Sequence, residues 1–212
     1  LGIPFGIISA IKQKTALDYT VSILAVVLAS IPGFWLALML VLVFSVQLGW
    51  LPPYGMGGIE FWVLPILSGS FHGIANLARQ TRSSMLEVLS SDYVTMARAK
   101  GMPENSVIYK HALPNALIPI ITVLGGTLAR IFGTGMLTET IFSIPGVGYY
   151  MVKAVNNRDY PAVQGSVLLL AIVFSVVMLL TDLVMAAVDP RIKAQFASRG
   201  GAKKKKEAKE NG

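Results

Sequence analysis

A chain of 212 residues that is 54% apolar, only 14% charged and +0.63 in mean hydropathy has too little polar surface to cover itself in water. It reads as an all-α polytopic membrane protein. The net charge of +7 would suit nucleic acid, but the cations gather in alternate loops and a tail, which is a topology signal with membrane lipid as the expected neighbour. Cysteine is absent and His72 and His111 are the only histidines, so disulfides and thiolate sites are excluded and no metal site is expected.

The chain opens on an apolar run over 1–11, too short to span a bilayer and without the charged lead of a signal peptide. It reads as the end of a truncated helix. Four spans are predicted after it, at about 21–46, 61–77, 112–137 and 162–188, each near the length a bilayer requires. Lys12, Lys14, Arg79, Arg82, Arg98, Lys100, Lys110 and everything from Arg191 fall on one side of these spans, against Lys153 and Arg158 on the other. The positive-inside rule makes the first side cytoplasmic. Trp50, Tyr54, Phe61, Trp62, Tyr149, Tyr150 and Tyr160 then form an external aromatic belt, and residues 147–155 an amphipathic surface helix. Small residues recur every fourth position at Ala25, Ala29, Gly33 and Ala37, at Gly69 and Gly73, and at Gly125, Ala129 and Gly133, a spacing that lets helices approach closely in lipid. Pro32, Pro65 and Pro119 are expected to kink or interrupt their helices. The last residues, 191–212, are basic, poor in apolar side chains and expected to be a disordered cytoplasmic tail.

Between the second and third spans lies DYVTMARAKGMPENSVIYKHALP, residues 92–114, a polar and basic segment with its own helix punctuation. Ser91 or Asp92 can cap an N-terminus, Arg98 and Lys100 suit a C-terminal end, and Gly101 stops the helix in a left-handed conformation. A cytoplasmic loop of about 90–111 ordered in this way reads as a docking surface, with Ala97 and Ala99 small enough for close approach. No phosphate cradle of the form G-x-x-x-x-G-K-[ST] occurs, nor a nucleophile elbow or paired mid-helix carboxylates, so the chain is read as non-catalytic.

Three ionisable residues lie within spans and are candidates by default. His72 falls roughly 16 Å along its helix, near the bilayer middle, where it either bonds a neighbouring helix or lines a translocation path. Arg130 falls roughly 27 Å from the cytoplasmic start of its span, within reach of the outer headgroups or of a substrate carboxylate. Asp182 is expected to pair with Arg79 or Arg82.

Residues 92–114 resemble the cytoplasmic E-A-A-x-x-x-G segment of bacterial ABC importer permeases, followed after nine residues by I-x-L-P. Ala97, Gly101, Leu113 and Pro114 match, while Thr95, Met96 and His111 depart. The dipeptide and oligopeptide branch is closer, with DYV-x-x-ARAKG met at Asp92, Tyr93, Val94 and Ala97 to Gly101, and HAL-x-NAL-x-P from His111 to Pro119. The likeness extends through LGIPFGIISAIK (1–12), TRSSMLEVL (81–89), TETIFSIPGVG (138–148), RDYPAVQG (158–165) and DPRIK (189–193). It implies a type I ABC importer transmembrane domain over 1–190, a helix bundle with cytoplasmic coupling helices, from which an earlier helix and an external segment are missing.

The same resemblance implies the function and the partners. The chain would be the permease subunit of a binding-protein-dependent importer of di- or oligopeptides, in a bacterial plasma membrane, beside a second homologous permease. Two cytoplasmic ABC ATPases would consume ATP, the chain itself holding no cofactor, and an external binding protein would deliver substrate. The ATPase-coupling residues would be Asp92, Tyr93, Ala97, Arg98, Ala99, Lys100, Gly101, His111, Leu113 and Pro114. Relatives of similar appearance carry nickel, glutathione or haem. The rivals of other classes are an ATP-independent secondary transporter or channel, and a structural membrane anchor.

Overall fold

A computed structural model describes residues 1–188, apart from the side chains of 129, 130, 132–134 and 188. The tail expected over 191–212 lies outside the described residues. Every regular element described is helical: α1 (Gly2–Ile11), α2 (Ala16–Ser30), α3 (Gly33–Leu40), α4 (Glu60–Leu89), α5 (Asp92–Ala99), α6 (Glu104–Ser106), α7 (Leu113–Ile141), α8 (Val147–Asn156) and α9 (Tyr160–Val188). Wider π-helical turns extend α3 over Val41–Gln47 and join α6 to α7 over Val107–Ala112.

Three helices are long and apolar enough to cross a membrane, Glu60–Leu89, Glu104–Leu128 and Tyr160–Ala187. The stretch expected as one span over 21–46 is instead divided, α2 meeting α3 and its extension at 95°. Pro32 is the reason. It holds its own φ at −62° and cannot donate to the preceding turn, and it drives Ile31 out of helical conformation to ψ 124°. Pro65 and Pro119, by contrast, lie inside the continuous helices α4 and α7. Helix α4 also runs twelve residues beyond the expected end at 77, so that Arg79 and Arg82 stand on its last turns.

Helix α4 is the centre of the bundle, with α1, α2, α3 and α7 packed around it. Its contact with α1 is made by small residues: Gly2, Gly6, Ser9 and Ala10 are the buried residues of α1. A Cβ on Gly2 would fall 2.6 Å from the Ile74 carbonyl oxygen and one on Gly6 2.5 Å from the Thr81 Cβ, so the two backbones approach as closely as glycine allows. The predicted ladders contribute unevenly. Ala25 and Ala37 are buried, whereas Gly33 and Gly69 face open space.

The two ends of the bundle are closed differently. At one, Ala37, Leu64 and Phe142 form a core with Leu40, Phe44, Leu51 and Ile144, and the Gly55 N–H donates to the Phe142 carbonyl at 2.9 Å, joining the loop that carries the exposed Trp50 and Tyr54 to the end of α7. At the other, α5 and residues 107–116 pack on the ends of α1 and α4. On α9 the apolar side chains point outward, with no residue of its most apolar stretch buried, as befits a helix that faces lipid or another membrane helix.

Candidate functional site

Helix α5 begins after Ser91, whose extended backbone starts the helix but whose hydroxyl donates to the Val88 carbonyl at 2.6 Å rather than capping. It ends as the sequence requires. Gly101 takes φ 77°, its N–H donates to the Arg98 carbonyl at 2.9 Å and the Met102 N–H to the Ala97 carbonyl at 3.4 Å, the paired bonds of a Schellman turn. Met102 then packs against the cluster under the helix.

The helix has an inner and an outer face, and this divides the predicted coupling residues. Val94 and Ala97 are buried with Ala10, Met85, Val107, Ile108 and Ala112, so Ala97 is not the exposed close-approach position expected of it. The 3.6-residue repeat that turns Val94 inward carries position 97 with it. Arg98 also serves the scaffold: its guanidinium binds Glu104 at 2.7 Å and reaches the Leu89 carbonyl at 3.4 Å, tying α5 to α4 and α6. The hydrogen bonds that Arg98 donates to the Glu104 carboxylate raise the Arg98 pKa above its ordinary value, which holds the guanidinium in its charged form. Asp92, Tyr93, Ala99, Lys100 and Gly101 stand outward, and so does Met96, 61% exposed, which the sequence argument passed over. Leu113 packs against the cluster, Pro114 opens α7, and the His111 carbonyl accepts from the Asn115 side chain at 2.9 Å. The outer surface therefore presents Tyr93, Met96 and the exposed Tyr109, two aromatics and a thioether, among the polar and charged Asp92, Thr95 and Lys100.

Above this end lies a cavity of about 650 Å3 lined by Ser22, Val26, Val123 and a polar edge of α4: His72, Asn76, Arg79, Gln80, Arg82 and Ser83. His72 thus lines a cavity and makes no hydrogen bond with a described residue. Arg82 is held by a residue that sequence reasoning missed. Asp18, 2% exposed, accepts from Arg82 Nε at 2.6 Å and Nη2 at 2.9 Å, from Ser9 Oγ at 2.6 Å and from the Lys14 backbone N–H at 2.9 Å. The expected pairing of Arg82 with Asp182 does not form; Asp182 is exposed on α9 and in no ion pair with a described residue. A buried carboxylate needs several donors as well as a counter-charge, and the turn between α1 and α2 supplies them where α9 has none. Arg130 lies in α7, but its side chain is outside the described residues.

A family model described as binding-protein-dependent transport system inner membrane component matches residues 2–194. The chain belongs to this family. Among curated relatives, this inner membrane component is 42% identical to the dipeptide transport system permease protein DppB of Alkalihalophilus pseudofirmus. It is 38% identical to the oligopeptide transport system permease protein AppB of Bacillus subtilis and 39% identical to OppB of Salmonella typhimurium, named likewise. Each alignment covers 91% of this chain and only 64–66% of the relative, so the chain spans just under two thirds of their length. In this inner membrane component, Asp18 and Met96 are the two residues of interest that motif reading missed. The signal for Asp18 was in the sequence: an acid three residues before an apolar span needs a partner.

Proposed function

We propose that the chain is the membrane-spanning permease subunit of an ATP-driven, binding-protein-dependent importer of di- or oligopeptides, coupled to a separate ATPase through residues 91–114. The observation that carries this reading is α5. A short helix outside the spans, anchored by Val94, Ala97 and the Arg98–Glu104 tie, turns the apolar Tyr93 and Met96 outward beside Asp92 and Lys100, a mixed apolar and charged face suited to a protein partner. Seated on an ATPase, such a helix moves with α4 and α7 as one rigid body when the nucleotide sites close. The names of the relatives support peptides as the cargo.

In this reading the α5 end of the bundle and the C-terminus face the cytoplasm, following the basic residues. A second, related permease completes the path, two ATPase subunits hydrolyse ATP, and an external binding protein brings the peptide. The chain itself needs no cofactor. A secondary transporter would call for coupling carboxylates near the midplane, where α4 offers His72 and no acid.

The test is reconstitution of the complex with its co-purifying chains in proteoliposomes. Peptide uptake that requires ATP and loaded binding protein is expected; uptake driven by an ion gradient without ATP would overturn the proposal.

A further inference from the structure

The cavity beside α4 carries a charge that the fold leaves unused. His72, Asn76, Arg79 and Ser83 stand at i, i+4, i+7 and i+11, a single stripe of the helix, and all four line the cavity. Two guanidinium groups are in its wall and no carboxylate is among the residues lining it. Arg82 gives both of its forked donors to Asp18, outside the stripe. Arg79 is exposed to the cavity and makes no ion pair or hydrogen bond with any described residue. A guanidinium with no counter-charge beside it favours an anion, and its planar fork fits a carboxylate with two parallel hydrogen bonds.

The neighbouring side chains narrow the ligand. Asn76 offers an amide donor and acceptor, and Gln80, whose Nε2 donates to the Ser84 hydroxyl at 3.2 Å, keeps a second N–H and its carbonyl, the groups that answer a peptide unit. From Arg79 back to His72 the stripe rises about 10 Å, the reach of roughly three extended residues. A volume of about 650 Å3 is within the range of small-ligand sites. We propose that this cavity is a carboxylate-binding subsite on the transport path, in which Arg79 takes the C-terminal carboxylate of a short peptide while Asn76 and Gln80 face its peptide units. The assignment rests on the importer reading above and adds to it a residue and a preference: free peptide carboxylates over their amides.

Because the chain has no cysteine, Ser83→Cys places a single thiol of this subunit in the cavity wall. In the detergent-purified complex, with partner chains free of cysteine and the binding protein omitted, its rate of reaction with a maleimide is measured against trialanine and trialanine amide. Trialanine is expected to slow labelling and its amide to do so weakly. Arg79→Gln should raise the half-protecting concentration of trialanine about tenfold, the loss of one charge-assisted pair, while Arg79→Lys keeps most of the protection. Equal protection by acid and amide, or protection unchanged in Arg79→Gln, overturns the subsite. So does an Arg79-dependent protection that appears on adding phosphatidylglycerol and ignores trialanine, which assigns the charge to a lipid phosphate. ATP-driven trialanine uptake by the unmutated complex is the parallel measurement. Its presence without protection refutes the subsite alone, and its absence refutes the importer reading on which the subsite rests.

Discussion

Replacing Asp18 tests how the bundle is held at its basic end. Asp18→Asn keeps the shape but removes the charge from a site where two Arg82 nitrogens, the Ser9 hydroxyl and the Lys14 N–H converge within 2.9 Å. Breaking a buried ion pair from one side costs about 3–5 kcal/mol. Arg82 is 31% exposed and can turn toward the cavity, which puts the expected loss near the lower figure, about 3 kcal/mol. For a chain of this size that corresponds to a fall in melting temperature of roughly 6–12 °C. The assay is the survival of the solubilised complex after heating, followed by size-exclusion chromatography. Arg82→Met and the double variant complete a cycle. Because both singles break the same pair, the double should be more stable than their sum by about 1 kcal/mol or more. An Asp18→Asn complex that melts with the unmutated one, or additive losses in the cycle, would refute the reasoning.

Gly101→Val should cost about 1–2 kcal/mol from backbone strain alone, since φ is 77° and a Cβ there meets nothing within 4 Å, whereas Gly101→Asn should be nearly tolerated; ATPase stimulation by loaded binding protein compares them. Met96→Glu should leave the melting temperature unchanged and lower retention of the ATPase on the membrane, while Ala97→Trp should overfill the cluster, lose about 1–3 kcal/mol and lower the melting temperature first. Gly6→Leu should separate α1 from α4 and reduce the amount of assembled complex, which blotting of membranes reports; full assembly would contradict the close approach at Thr81. Cysteine at the exposed Asn105 should resist a membrane-impermeant thiol reagent in intact cells and react once they are permeabilised; labelling of intact cells would reverse the orientation.

What could be seen in the sequence was what local chemistry encodes. The bounds of α5, the left-handed Gly101 and the surface helix α8 all follow from capping residues, glycine and a 3.6-residue repeat, each confined to about ten positions. The Asp18–Arg82 pair was not legible, because its members are 64 residues apart and nothing local distinguishes Arg79 from Arg82, one turn away on the same helix. Small size and a motif match placed Ala97 on the docking surface. Packing turned it inward, since the face of an eight-residue helix is chosen by what lies beneath it, here Met85 and Val107. Pro32 did signal a break, but the size of the bend depends on the packing of α3 against α4 and α7.

The separation within that ion pair also has a consequence in time. Asp18 leaves the ribosome 64 residues before Arg82, an interval of about 3–13 s at the usual rate of synthesis. Throughout it the nascent chain holds Asp18 without its guanidinium partner, and the α1–α2 elbow has no α4 to close upon. Docking of the elbow is thus delayed until α4 has been inserted. A chain stalled or clipped within that interval holds Asp18 without the guanidinium that pairs with it in the fold.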